Sequence, residues 1–515
     1  MDFSNILNWT ILTPLAFAAG LCLVPASKSH AIRWLAILGS FVTAVLGVLA
    51  FAWFSASDTG FQFVNQVPWV AALDLSWHVG VDGISVVLIL LTGIVGFAAT
   101  MVSWDIQSRQ KEFYVLLLIM IAGAMGMFAS LDIFFIYFFH ELALIPTFLM
   151  IGIWGSGKRE YAAMKMTLYL SAGAFVALIG LIALYLALPA GERTLDLVKL
   201  LDYARSHPLA ANVQYFIYPL LLFGLGTLVS LVPFHTWAPV GYGCAPTATA
   251  MLHAGVLKKF GLYALIRIAL PLLPVGAHDW NGVLVVLLLG NIVYAGLVAM
   301  TQKNFNYLLG YSSVAHMGFV FLGIASFTFI GLTGAVLVMF AHGILAALLF
   351  ALSGYVYAQT GTREMPELGG LCKPLAFVGT LLVMAGFASV GLPGFANFPG
   401  EVMVLFGAWQ APAWQAKIGA ATVSWPVLLA IWGGSVIGAV YMLRALRNIC
   451  FGPTPVRWQM LADANLFARV PYLVLLGVLI WVGVYPRALV ETIKPATAQI
   501  ITAVEKAVPA VSQKK

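Results

Sequence analysis

Apolar residues in this chain neither alternate nor follow a narrow helical stripe. They come in runs of about 20 residues, the length a helix needs to cross a bilayer. The runs fall at 8–26, 32–54, 81–103, 112–130, 132–153, 165–188, 213–232, 245–270, 281–300, 306–326, 329–357, 374–398, 425–446 and 469–490. Each is too uniformly apolar for a barrel strand, which alternates between lipid and lumen. In hydrocarbon only helices and closed barrels satisfy the backbone, so the pattern predicts about fourteen transmembrane helices.

Two of these runs carry clusters of helix breakers. The seventh leads into LVPFHTWAPVGYGCAP, with Pro233, Pro239 and Pro246 beside Gly241 and Gly243. The twelfth leads into GLPGFANFPGE, with Pro393 and Pro399 beside Gly391, Gly394 and Gly400. Proline removes a backbone donor and clashes with the preceding turn, so both helices are expected to break. Broken backbone at membrane depth survives only where protein or a water-filled cavity covers it. The breaks are five spans apart, and a shift by an odd number of crossings inverts orientation. Spans four to eight and nine to thirteen therefore read as inverted repeats, the arrangement that marks the working site of many transporters. Ordinary packing kinks are the alternative. The corresponding domains are three N-terminal helices over 1–110, repeats over 111–272 and 273–450, and a C-terminal helix with a tail over 451–515.

Composition fits this reading: 62% of residues are hydrophobic and 9% charged, with mean hydropathy +0.97. A soluble domain carries about 25% charged residues. Loops after odd-numbered spans hold 13 lysines and arginines against five after even-numbered spans. The positive-inside rule then puts both termini on the non-cytoplasmic side of a bacterial-type inner membrane. The +7 net charge reflects this loop bias, and no basic, aromatic-interleaved soluble segment points to nucleic acid. Cys22, Cys244, Cys372 and Cys450 are far apart in sequence, against an iron–sulfur or zinc site. No glycine motif suggests a dinucleotide site. The first run lacks the basic start of a signal peptide and reads as a retained span.

Ionisable groups inside the runs are the candidate chemistry. Each costs ~2.5–3.5 kcal/mol at the bilayer centre unless a partner or water relieves it, so such groups are kept where an ion or proton uses them. Glu141 lies about nine residues into the fifth span, where its surroundings can tune it to take and release protons. Lys258 and Lys259 sit together in the eighth. Neighbouring helix positions are about 100° apart, so one is expected to point inward and the other to snorkel or pair elsewhere. Glu401 follows the second break and either ends a proton path or favours the start of the next helix. His316 and His342 lie in the tenth and eleventh spans and can relay protons, or sit satisfied in the core. His253, His140 and His235 are further candidates, and Lys165 opens the sixth span as either an interfacial anchor or a working group.

With these motifs assembled, the chain resembles the M-type (chain 4) antiporter-like subunits of respiratory complex I, the NADH:quinone oxidoreductases. HELALIPTFLMIGIWG, VPFHTWAP, APTATAMLHAGVLKKFGLYALIR, GYSSVAHMGF, FAHGILAALLF, GLPGFANFPGE and YMLRALRNICFGP carry the resemblance, over residues from about 80 to 490. It implies proton translocation driven by quinone reduction elsewhere in a complex. No redox centre is implied in this chain; NAD, FMN, iron–sulfur clusters and quinone belong to partner subunits. The partners implied are the lipid bilayer and neighbouring membrane-arm subunits, antiporter-like ones especially. Glu141, Lys259 and Glu401 match the family's fifth-, eighth- and twelfth-helix charges, His316 and His342 its linking histidines, and Lys165 its sixth-helix lysine. One departure stands out. Where the family has a lysine in the seventh helix, partner to the Glu141 position, this chain has Leu228. Asn306 and Tyr307 replace a basic pair, and Val240, Gly241 and Tyr242 follow Pro239 where the family tends to read Asp-Ala-His. Lys258 or His253 is the expected substitute for the missing charge. A cation/proton antiporter subunit, a membrane-bound hydrogenase subunit, a non-conducting scaffold and a free-standing transporter are the rival readings.

Overall fold

The computed structural model describes residues 5–70, 74–418 and 421–512. Among the described residues, twelve helices are long and apolar enough to cross a membrane. In the first half they are α1 (Ile6–Leu23), α2 (Ser29–Trp53), α3 (Gly83–Val102), α4 (Gln110–Ala129), α5 (Ile133–Trp154), α6 (Arg159–Ala187) and, after the short α7 (Leu197–Ser206), α8 (Ala211–Val229). The next stretch is divided into α9 (Trp237–Cys244), α10 (Thr247–Leu252), α11 (Lys259–Ala264), α12 (Leu270–Leu272) and α13 (Pro274–Asp279). Then come α14 (Asn281–Leu289) and α15 (Ala295–Thr301), joined by a π-turn, followed by α16 (Phe305–Ala325) and α17 (Phe329–Thr360). After α18 (Ala376–Ser389) and α19 (Asn397–Gln410), the π-joined α20 (Trp425–Ala430) and α21 (Gly438–Cys450) form another span, and α22 (Leu466–Val484) the last. A further helix, α23 (Arg487–Ser512), closes the described chain.

The structure differs from the predicted count of fourteen in two places. The eighth run, 245–270, is an alternation of short α and π segments, and the twelfth divides into α18 and α19. Both predicted breaks are present. α8 stops at Val229, with Ser230 left-handed at φ 71°, and the chain turns through Phe234 before α9. α18 stops at Ser389, and Gly391 and Gly394, at φ 76° and 99°, carry the turn that a side chain would strain. Residues 487–512 form a helix rather than a loose tail. Their apolar positions follow a helical stripe, and Leu489, Ile493, Ile500 and Val504 are buried.

Loops after even-numbered spans gather at one end of the bundle. There β1 (Gln62–Val70) and β2 (Leu75–Val81) form an antiparallel hairpin that meets α7: His78 and Gln66 bond Asp196, and Lys199 pairs with Asp74 at 2.8 Å. Loops after odd-numbered spans gather at the other end, where Lys111 donates to Val24 O, Trp154 to Ser108 O, and Arg363 to Ser156 Oγ. Running between these ends, the chain enters the first break from one end and the second from the other. The two broken regions pack alike. A methyl at Gly224 of α8 would strike the backbone of α6, and one at Gly334 of α17 would strike that of α19. Small residues give this close approach where lipid supplies no hydrophobic drive. α17 is buried from Gly331 to Ser353 and packs on α16, α18 and α19.

Candidate functional site

Broken helices free backbone groups, and side chains take them up. Asn291, in the π-turn between α14 and α15, accepts from Val232 N at 2.7 Å and donates to Ser230 O and Val314 O at 3.0 and 3.1 Å. One side chain thus holds the first break to α16. In the eighth run the π segment His253–Leu257 loosens the helical ladder, and π segments of this kind recur at working sites. Lys259 Nζ donates to the Ala254 carbonyl there, at 2.6 Å.

Lys258 and Lys259 are both fully buried, each 0% exposed, so neither snorkels. They diverge instead. Lys259 Nζ also donates to His342 Nδ1 at 3.0 Å, while Lys258 Nζ donates to Ser313 Oγ at 3.1 Å. Both directions lead to the same place. The His342 and His316 rings lie 5.4 Å apart, and with Ser312 and Ser313 they line a cavity of about 10 Å³, close to the least that holds one water. His316 Nδ1 faces Ser312 O at 2.8 Å and Nε2 faces Ser389 O at 3.2 Å, giving a protonated ring a partner at each nitrogen. Its Nε2 is also 3.9 Å from Glu401 Oε1. Glu401 is the fifth residue of α19, and its carboxylate lies over Gly391, where any side chain would collide with it. Tyr441 of α21 braces the cluster through Ser312, at 2.9 Å.

Glu141 stands apart. Its side chain is 33% exposed, against 14% for Glu401, and its neighbour is His140, whose Nδ1 is 3.3 Å away. Among the described residues no lysine or arginine comes within ion-pair distance of it. Lys258 Nζ points to Ser313 instead and makes no ion pair with Glu141. Leu228 lines an apolar cavity of about 30 Å³ with Tyr137, His140 and Phe260. A second cavity, of about 10 Å³, brings Leu228, His140 and His253 together. His253 Nδ1 is 3.2 Å from the Tyr242 hydroxyl, and Lys258 Nζ sits 5.7 Å from the centre of that ring. His253, rather than Lys258, is the eighth-span group near the vacated position. Lys165 joins none of this; its ammonium lies against the rings of Tyr161 and Tyr169. His235 is buried in the first break beside the rings of Tyr294 and Tyr311.

Sequence reasoning missed the buried pair Asp82–Arg267, 2.6 Å apart, although both residues stand in the motifs GVDGIS and YALIR. Asp82 also caps α3 through Ile84 N and Ser85 N, and Ser85 Oγ meets the Tyr263 hydroxyl at 3.1 Å. Asp82, Arg267 and His78 line a cavity of about 450 Å³ at the end of the even-numbered loops.

The family model described as NADH:quinone oxidoreductase/Mrp antiporter, TM, matches residues 130–424, more than half of the chain and both breaks. The chain belongs to this family. Among members of the NADH:quinone oxidoreductase/Mrp antiporter family, the NAD(P)H-quinone oxidoreductase chain 4 2 of a Picosynechococcus species is 35% identical, covering 100% of this chain and 97% of its own. Chain 4-1 of a Synechocystis species is 34% identical over 98% of this chain and 95% of its own. Among solved structures, a chain of respiratory complex I from Thermus thermophilus with bound NADH superposes with a TM-score of 0.86 at 27% identity, over 97% of this chain and 99% of that one. A chain of the Mrp complex from a Dietzia species reaches 0.82 at 20% identity, over 98% and 100%, and shows the fold.

Proposed function

We propose that this subunit translocates protons within a complex I-type NADH:quinone oxidoreductase, through Lys259, His342, His316 and Glu401. The observation that carries the reading is the unbroken series of short separations from Lys259 Nζ to His342 (3.0 Å), between the two imidazole rings (5.4 Å) and from His316 to Glu401 (3.9 Å). A lysine, two imidazoles and a carboxylate each hold and release a proton, and water closes the two gaps longer than a hydrogen bond, between the rings and from His316 to Glu401. Lys258 feeds the same cavity through Ser313. Upstream, Glu141 and His140 reach His253 through the small cavity beside Leu228. Residues 111–272 and 273–450 act as inverted halves, one holding the lysines and the other the histidines and Glu401. Both termini face away from the cytoplasm, as the basic loops at the opposite end suggest. Electrons stay in other subunits, where NAD, FMN, iron–sulfur clusters and quinone bind. Glu141, one-third exposed on a face with Phe138 and Ile145, suits contact with a neighbouring membrane subunit.

The test is His342→Leu in the intact complex, reconstituted in vesicles, with proton uptake and NADH oxidation recorded together. Removing the imidazole between Lys259 and His316 is expected to lower protons moved per electron. An unchanged ratio in a fully assembled complex rejects the route. Mass spectrometry of what co-purifies with the tagged chain separates the driving forces. NADH-oxidising and quinone-site subunits support this reading, whereas antiporter or hydrogenase subunits keep the route and move its energy source.

A further inference from the structure

The chain holds four cysteines, and the fold brings two of them together across 78 positions of sequence. Cys372 lies in the loop between α17 and α18, and Cys450 is the last residue of α21. Three backbone bonds pin the segments to each other: Gly370 N to Phe451 O at 3.0 Å, Leu371 N to Ile449 O at 3.1 Å, and Cys372 N to Cys450 O at 3.3 Å. Thr454 Oγ1 adds a fourth, to Gly370 O at 2.9 Å. Residues joined by such a bond keep their Cα atoms roughly 5 Å apart, within the ~4.4–6.8 Å that a disulfide spans. The two thiols lie close enough to interact electrostatically. Cys372 is half-buried and reachable from the loop face, while Cys450 is enclosed beneath it. Both are free thiols.

We propose that Cys372 and Cys450 form a reversible thiol–disulfide site at the end of the bundle that carries the basic loops. A low-molecular-weight disulfide is the oxidant. The Cys372 thiolate attacks one of its sulfurs and forms a mixed disulfide, releasing one small thiol. Cys450, deprotonated, then attacks the Cys372 sulfur and expels the second small thiol. Two protein thiols are oxidised to one disulfide, and one external disulfide is reduced to two thiols. The division of labour follows from the geometry. Interaction with the Cys450 thiol holds Cys372 below the ordinary thiol value, so Cys372, the accessible thiol, is also the readier thiolate. The resolving thiol is already in contact, so the mixed state has an immediate exit. The bridge fixes the α17–α18 loop to the end of α21, beside α18, which leads into the break that seats Glu401. Nothing in this site depends on the proton route.

The experiment uses the native complex in its own membranes. Membranes are exposed to oxidised glutathione, free thiols are blocked with N-ethylmaleimide, and the digest is read by mass spectrometry without reduction. A peptide pair joined through Cys372 and Cys450, and separated again by dithiothreitol, is the expected result. Glutathione retained on Cys372, or both cysteines recovered as maleimide adducts, overturns the proposal. A second measurement tests the activating interaction. In Cys450→Ala, alkylation of Cys372 at pH 7 is expected to slow severalfold as its thiolate fraction falls, an effect partly offset by greater nucleophilicity. An unchanged rate removes Cys450 as the activating group.

Discussion

Asn291 offers the sharpest test of how the first helix break is held. Its amide makes three buried hydrogen bonds, to Val232 N, Ser230 O and Val314 O, at 2.7, 3.0 and 3.1 Å. Asn291→Leu keeps most of the volume and removes all three. At a net ~1 kcal/mol per bond the loss is about 3 kcal/mol, or roughly a 100-fold rise in local opening of the break. The estimate is a lower one, because each orphaned backbone group in a dry site adds a desolvation cost of ~1–3 kcal/mol unless water replaces the amide. Hydrogen–deuterium exchange of the solubilised complex reads this directly in peptides covering residues 228–236, where Val232 N–H loses its acceptor. Peptides from α3, distant from the break, serve as the internal control. A change in 228–236 of less than about threefold, under 1 kcal/mol, refutes the idea that one side chain holds the break.

Asp82→Asn preserves the cap on α3 but leaves the buried Arg267 uncompensated, and thermal inactivation of the complex is expected to reflect a loss of ~3–5 kcal/mol. Adding Arg267→Met recovers most of it; failure to recover means the pair is not the cause. Asp74 and Lys199 tie the β1–β2 hairpin to α7 outside the membrane. The hydrogen bond from Lys199 lowers the Asp74 carboxyl below its ordinary 3.8, and the bond to Asp74 raises Lys199 above 10.5. The aspartate contribution is therefore present above about pH 4 and lost as pH falls through its lowered value. The lysine contribution is present below about pH 10 and lost as pH rises through its raised value. Both groups are about half exposed, so a double-mutant cycle at neutral pH should give under ~1 kcal/mol, shrinking with salt.

Most of the membrane-spanning helices were legible because hydrocarbon demands long apolar runs, and the breaks because proline and glycine cluster there. α23 escaped because its apolar residues form a stripe rather than a run. The eighth run is helical only in short segments, and its π segments turn Lys258 and Lys259 to separate partners, so neither needs to snorkel. Glu401, His316 and His342 could be named from charge at membrane depth, but their order in space depends on three different helices. Glu141 shows the limit most clearly: its position in the run says it is deep, not which way it faces. Asp82–Arg267 and Cys372–Cys450 are long-range meetings that no local pattern announces.

The closing helix has a consequence for how the protein is made. α23 packs on α3, α13 and α17, with Thr497 Oγ1 bonded to Thr333 Oγ1 at 2.9 Å and Gln499 reaching the Thr59 carbonyl. At Gly83 it lies so close that any side chain would strike the Thr492 carbonyl. Every one of these surfaces is synthesised before residues 487–512. Insertion of the early spans therefore finishes while an apolar seam at their edge still waits for its cover, and the protein reaches its final packing only when that late segment folds back over it. Ribosome stalling shortly before α23, or premature termination there, should leave a fully inserted but unsealed intermediate, the species that membrane quality control would meet first.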